Sequence, residues 1–295
     1  MPKKLLKPKF APLTLDSTFK KAFANEQSTE LLLFLLNTFL AEKLKSPIKE
    51  VININHELFG KTRFNRDAVF DVYCRDATGT RFVVEVQVKG QKHFIKRTFF
   101  YLCMVVCSLA VKGKEYDFNI PKLYSISFLE FNHNFGKDCT EVIQYLSLRN
   151  DKHPEVSYDF LQMIFVVLPR FKKKESECET IMDKILFSLK NGHKLKCVPK
   201  SFREKELLQI FRVAEISNFT ERELKQYEVS MMNRHDQKAI LAYAKEKGEA
   251  RGLVRGKKEG ILQTAKSMIK DGLELERVAR ITKLPKKQII AFSNG

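Results

Sequence analysis

Two acidic residues, Asp71 and Glu85, carry the chemistry that this sequence could do most directly. They sit in the run Asp67 to Lys89 (DAVFDVYCRDATGTRFVVEVQVK), where two β-rich stretches flank Asp76-Ala77-Thr78-Gly79-Thr80. A three-residue loop ending in a left-handed Gly is a common hairpin closure. Closing the loop at 77–79 sets Phe70 opposite Val86, Val72 opposite Val84 and Cys74 opposite Phe82, giving one apolar face. The other face pairs Asp71 with Glu85, Val69 with Gln87 and Asp67 with Lys89, the last of opposite charge as a good register favours. Arg75 opposite Arg81 is a misfit, tolerable beside an exposed turn. Opposed side chains have Cβ atoms about 4.5–5.5 Å apart, so Asp71 and Glu85 repel unless something positive lies between them. A hard divalent cation answers that need: Mg²⁺, Mn²⁺ or Ca²⁺. The alternative is a solvated strand face bearing two unrelated acids.

Further residues converge on that face. Gln87 and Lys89 follow Glu85 at intervals of two and point the same way. Arg97 and Tyr101, at i, i+4 on the following helix, lean over it. His93, near that helix's start, reads as a surface or capping residue. Metal, cations and hydrogen-bond donors together suit phosphodiester hydrolysis: the ion activates water and neutralises phosphate charge, and Arg97 or Lys89 steadies the developing charge.

The elements that must position these groups follow from patterning. Asp16 is placed to cap a short helix carrying Phe19 and Phe23. Leu31 to Leu44 is apolar nearly all round and predicts a buried helix. Val51 to Leu58 alternates as a first strand. After the hairpin, Lys92 to Lys112 is a second long helix. Lys122 to Phe131 is a strand, with Gln162 to Leu168 as its apolar partner. The order helix, strand, hairpin, helix, strand predicts an α/β sandwich around a small mixed sheet.

Composition changes at Arg170, Lys172, Lys173 and Lys174, and helical patterning follows to about 245. Gly248, Gly252, Gly256 and Gly260 then recur every four residues, as a stripe for close helix association or as a flexible charged linker. Short helices at 261–270, 274–281 and 285–292 would make a helix-turn-helix-like end. The predicted organisation is a basic arm (1–12), an α/β domain (13–170), a helical region (171–243) and a Gly-punctuated helical tail (244–295), with a homodimer forming through the C-terminal helices.

The 295 residues hold 53 Lys+Arg against 35 Asp+Glu, a formal charge of +18. Such an excess favours a polyanionic partner, unless it is only a Lys-rich compositional bias. Cys74, Cys103, Cys107, Cys139, Cys178 and Cys197 have no C-x-x-C spacing and the six His no HExxH motif, which excludes an evident zinc site. The basic start lacks an apolar signal-peptide core. The longest apolar run, Phe99 to Val111, falls short of the roughly 20 residues of a membrane span. These features predict a soluble protein of a reducing compartment, the cytoplasm, without a membrane partner.

Several motifs in order resemble the PD-(D/E)XK nuclease superfamily, and more narrowly the recombination-promoting nuclease/putative transposase family. They are Asp16-Ser17-Thr18-Phe19-Lys20, Asp71-Val72, Glu85-Val86-Gln87, Arg97 to Tyr101 and Lys112-Gly113-Lys114-Glu115-Tyr116. The resemblance covers about 14–170 well and the tail from 244 loosely. It implies a restriction-endonuclease-like core (helix, mixed β-sheet, helix) with an α-helical C-terminal region, acting as a metal-dependent DNA endonuclease in recombination or mobile elements. Carried over, Asp71 and Glu85 hold the metal, with the Val86 carbonyl as a further ligand. Gln87 stands where the superfamily often has a catalytic Lys; it could orient water or a phosphate oxygen but supplies no charge. Lys89 supplies that charge or simply pairs with Asp67. Glu26 or Glu30 would add a metal contact, whereas Asp16 reads as a cap or structural hydrogen-bonder. Strand transfer has no signature here.

Two other classes compete: a catalytically decayed nuclease that binds DNA as a regulator, and a helical self-association protein whose charge is incidental. DNA binding that falls steeply with salt separates the last from the others.

Overall fold

The computed structural model describes residues 8–54, 57–58, 68–90, 92–109 and 120–293, in two compact units, Met1–Ser230 and Met231–Gly295. The first unit opens with two helices. In α1 (Asp16–Phe23), Phe19, Ala22 and Phe23 turn inward while Lys20 and Lys21 stay half-exposed. α2 (Thr29–Leu40) buries Leu31, Leu32, Leu35, Leu36, Phe39 and Leu40, so it lies inside the fold, as its all-round apolarity requires.

The strands follow as β1 (Ile52–Asn53), β2 (Glu57–Leu58), β3 (Ala68–Val69), β4 (Val72–Arg75) and β5 (Arg81–Gln87). α3 (Phe94–Leu109) leads to β6 (Leu123–Leu129), β7 (Ile143–Arg149) and β8 (Ser157–Val167). Six strands make one sheet in the order β1-β4-β5-β6-β8-β7, and β2 pairs with β3 in a separate ribbon. β5, β6 and β8 run parallel; the β1–β4, β4–β5 and β7–β8 pairs are antiparallel. This is the expected mixed sheet. The 77–79 loop closes as read: Gly79 has φ +87° and its N–H donates to Asp76 O at 3.1 Å.

Alternation along the strands builds two cores. Val72, Cys74, Phe82, Val84, Tyr124, Ile126 and Phe128 face α1 and α2. Tyr73, Val83 and Leu123 face α3 through Leu102 and Val105. The Phe128 ring lies 5.9 Å from Phe19 and 5.1 Å from Phe39, tying both N-terminal helices to the central strand. Burying each such ring stabilises by about 1.5–3 kcal/mol, and the contact fixes where the next residue, Lys20, can reach.

The core continues past 170. α4 (Ile181–Asn191) and α5 (Lys205–Ala214) contribute Ile185, Leu186, Leu207, Ile210 and Phe211 to the same core as α1 and α2. The basic run has specific partners: Arg170 donates to the carbonyls of His133, Cys139 and Glu141, and Lys173 pairs with Asp183 at 2.8 Å. The first expected strand is only β1, with β2 pairing elsewhere. β7, an edge strand, was not expected. All six cysteines are free, and Cys107 and Cys197 are exposed. The Lys112 to Tyr116 motif lies outside the described residues.

α6 (Glu221–Lys270) runs into the second unit, followed by α7 (Leu275–Thr282) and α8 (Lys286–Ser293). The Gly248 to Gly260 stripe is therefore helical, and a Cβ added at any of the four meets nothing within 4 Å. Gly in an exposed helix interior costs about 0.5–1 kcal/mol relative to Ala. Gly248→Ala, Gly252→Ala, Gly256→Ala and Gly260→Ala together should raise the thermal stability of this segment, read by circular dichroism. A fall would mean that another surface packs against the stripe.

Candidate active site

The site forms where β4 stops and β5 continues. The β4–β5 ladder pairs Val72 with Val84, Tyr73 with Val83, Cys74 with Phe82 and Arg75 with Arg81, as the sequence register requires. It begins at Val72, because the chain bends at Asp71. Phe70 consequently leaves the expected face and packs with Tyr73 and Val83 on the α3 side, its ring 5.9 Å from Tyr73. Val69 pairs with Glu57 rather than Gln87. Asp71 is thus not a cross-strand partner of Glu85, and Asp67 lies outside the described residues.

The bend gives Asp71 a different task. Arg81 N–H donates to Lys122 O, and Gln87 O accepts from Glu130 N–H, so odd-numbered residues of β5 bond toward β6. Even-numbered residues direct their N–H and C=O toward β4. With β4 ended, Val86 N–H donates instead to Asp71 Oδ2 at 2.8 Å. The Val86 carbonyl faces the same open edge.

Glu85 and Gln87 project on the face covered by α3. Gln87 Nε2 donates to Glu85 Oε2 at 3.1 Å, and Arg97 Nη2 donates to Gln87 Oε1 at 3.0 Å. The Arg97 guanidinium lies 6.0 Å from the centroid of the Tyr101 ring. A relay Arg97–Gln87–Glu85 therefore joins three of the expected residues, with a fourth, Tyr101, beside Arg97. His93, exposed at φ 60°, accepts Arg97 N–H through its carbonyl, as a helix-start residue does. Lys89 lies beyond the end of β5 and forms no ion pair among the described residues.

α1 closes the other side and brings Asp16, expected as a cap or structural hydrogen-bonder, and Lys20, whose role the sequence did not reveal. Lys20 Nζ lies 2.7 Å from Asp16 Oδ1 and 3.6 Å from Asp71 Oδ1. Asp16 is the first helical residue, not the cap, which is Leu15; its carboxyl hydrogen-bonds to Asp71 and Lys20. The i, i+4 spacing of Asp16 and Lys20 was the available signal. Glu30 is drawn away by Lys205, 3.1 Å distant on α5, so it adds nothing to the cluster. The Glu26 side chain lies outside the described residues.

The electrostatics reflect crowding of acids. Burial, then the hydrogen bond shared with Asp16 and the negative charges of Glu85 and Asp16, push Asp71 up to about 7, although Val86 N–H limits the rise. Burial also raises Glu85, opposed by the Gln87 hydrogen bond and by the charges of Arg97 and Lys20. Burial of Asp16 works upward, but its hydrogen bonds to Asp71 and Lys20 outweigh it and leave it below the usual value. Asp16 and Asp71 therefore titrate as a pair that holds one shared proton more tightly than an ordinary Asp would.

Among the described residues, no group of three or more His, Cys, Asp or Glu side chains is arranged to hold a metal ion. The available donors are two carboxylates and a backbone carbonyl. All are oxygens on one edge, and burial raises both carboxyls above their usual range. That chemistry fits a hard divalent cation.

A mixed sheet between helical layers, with Asp71 at a strand end and Glu85-Val86-Gln87 on the next strand, defines the class: a PD-(D/E)XK, restriction-endonuclease-like nuclease fold. A family model described as PD-(D/E)XK nuclease family transposase matches residues 13–244, and the chain belongs to that family. No curated protein matches the chain, nor does any solved structure. The family carries nuclease or transposase-like function, and PD-(D/E)XK nucleases generally use divalent metals. No helix among the described residues is long and apolar enough to cross a membrane.

Proposed function

We propose that this chain is a metal-dependent endodeoxyribonuclease, acting on cytoplasmic DNA in recombination or the movement of mobile elements. The observation that carries the reading is two half-buried acids, Asp71 and Glu85, close enough to interact electrostatically beside the edge that the Val86 carbonyl faces. Asp71, Glu85 and the Val86 carbonyl would hold Mg²⁺, with Mn²⁺ or Ca²⁺ as alternatives. Such an ion lowers the pKa of a bound water and neutralises charge on the phosphate.

The chain's own groups do the rest. Gln87 orients Glu85 with one end of its amide and Arg97 with the other. Arg97, laid against Tyr101, directs a guanidinium at the phosphate. Lys20 supplies beside Asp71 the ammonium that Gln87 cannot. Lys89, one pleat beyond Gln87, adds a phosphate contact. Asp16 keeps Lys20 in place. Pairing of two chains through the C-terminal helices belongs to the same reading, and sedimentation of the wild-type chain tests it.

A second reading is a DNA-binding regulator with a decayed core. The lack, among the described residues, of a three-acid cage favours it. Calorimetric titration with Mn²⁺ separates the two. The nuclease reading expects one site per chain in the wild type, weakened at least about tenfold in Asp71→Asn and in Glu85→Gln. It also expects proton release at pH 7 that shrinks by pH 9, because ligands must deprotonate. No binding by the folded wild type, or binding indifferent to both substitutions, would favour the regulator.

A further inference from the structure

We propose that α7 and α8 form a helix-turn-helix reader of duplex DNA, with α8 as the element that enters the major groove. The inference rests on the reading above only for the identity of the polyanion. The family match ends at 244, so nothing in it assigns this segment.

The geometry is that of a closed small module. α6 ends in a Schellman turn: Gly272 has φ +87°, its N–H donates to Ile269 O, and Leu273 N–H donates to Met268 O, both at 3.0 Å. α7 and α8 are then joined by only Lys283, Leu284 and Pro285. Lys283 turns the chain in the left-handed conformation at φ 55°. The Pro285 carbonyl accepts Gln288 N–H at 2.9 Å and starts α8. Ala265, Val278 and Ile289 are fully buried, one from each helix, with Met268, Leu275, Ala279 and Leu284 packed around them. The end of α6 and two short helices, with their own core and a three-residue turn, are the frame on which a second helix is presented to DNA.

The outer side has the matching chemistry. Arg277, Arg280, Lys283 and Lys287 are exposed and form no ion pair among the described residues, whereas Lys286 is held by Glu276 at 2.5 Å. With Ile289 pointing inward, α8 presents Lys287, Gln288, Ile290 and Ala291 outward, all exposed. Lys reads guanine, Gln reads adenine, and small apolar groups meet the thymine methyl in the major groove. A helix about 10–12 Å across fits a groove about 12 Å wide. Residues 231–295 hold fifteen Lys and Arg against seven Asp and Glu, so the charge complements phosphate and argues against a basic or neutral partner.

The test uses the full chain in EDTA and a fluorescent duplex, with anisotropy read between 50 and 200 mM salt (about the range over which phosphate contacts are lost). The variant is Arg280→Gln/Lys283→Gly/Lys287→Gln. Gly suits the left-handed turn and Gln suits a helix, so the module should stay folded, which circular dichroism checks. The expected result is at least about tenfold weaker binding and a log–log salt slope shallower by about 2–3, at about 0.9 per phosphate contact. Lys137→Gln/Lys152→Gln/Lys172→Gln, on the first unit, removes the same charge and should bind within about twofold of wild type. Equal binding by the α7–α8 variant and wild type, a loss no larger than in the control, or a loss of self-association in place of duplex binding would overturn the proposal. Because the assay contains no metal, a failure of cleavage leaves it intact, and binding through α8 by a chain that cuts nothing would overturn only the nuclease reading.

Discussion

Asp71→Asn should abolish cleavage while stabilising the metal-free protein. Loss of one charged contact to the reacting centre lowers rates by roughly 10²–10³-fold, and a lost metal ligand by at least as much. The stability gain follows from linkage. The Asp71 side chain is only 16% exposed and its pKa lies at about 7, above the 3.8 of an ordinary Asp. A raised acid contributes stability that is full below pH 3.8 and is lost as pH climbs through about 7. Three units correspond to about 4 kcal/mol, less whatever Asp16 gains above its own lowered pKa from the same contact. Asn keeps an acceptor for Val86 N–H and never ionises. Denaturant melts in EDTA should show wild-type stability falling between about pH 4 and 7 and levelling above, and the Asn variant holding a flatter profile. A wild type without that decline would remove the buried, protonated Asp71 from the account. So would an Asn variant that still cuts.

The second large effect is at Lys20. Lys20→Met should lower the single-turnover cleavage rate about 10²-fold at saturating DNA, the scale of removing one stabilising donor from a transition state. Lys20→Arg should restore part of it. As an i, i+4 surface pair, Lys20 and Asp16 contribute only about 0.3–0.5 kcal/mol to the fold, so melting should move little. An equal loss in Met and Arg with a large drop in stability would make Lys20 a structural brace. An unchanged rate would leave the positive charge to Arg97 or Lys89.

How much of this was legible beforehand depended on whether the signal was local. The hairpin register was, since Gly79 fixes the loop and one misfit pair, Arg75 with Arg81, sits harmlessly by the turn. Its extension to Asp71 was not. Phe70 is apolar and can bury on either face, so alternation continues in the sequence through a bend that ends the ladder. The relay Arg97–Gln87–Glu85 was anticipated as a set of neighbours, because periods of two and four place those side chains together. Lys20 was visible as part of a motif but not as a contact, because nothing local says which sheet edge α1 crosses. That is settled by Phe19 packing on Phe128. The run from Arg170 to Lys174 looked like a break in composition, yet Arg170 staples three carbonyls and the helices beyond share the core. β7 escaped notice as an edge strand whose Tyr145 and Leu148 remain exposed.

The most direct test of the central claim is cleavage of supercoiled plasmid by purified wild type, Asp71→Ala and Glu85→Ala, each with Mg²⁺, Mn²⁺, Ca²⁺ or EDTA. The account predicts nicking or linearisation by the wild type in at least one metal, none in EDTA, and none by either variant. A folded, DNA-binding wild type that leaves the plasmid intact in every metal, or cleavage that survives the loss of either acid, would contradict it.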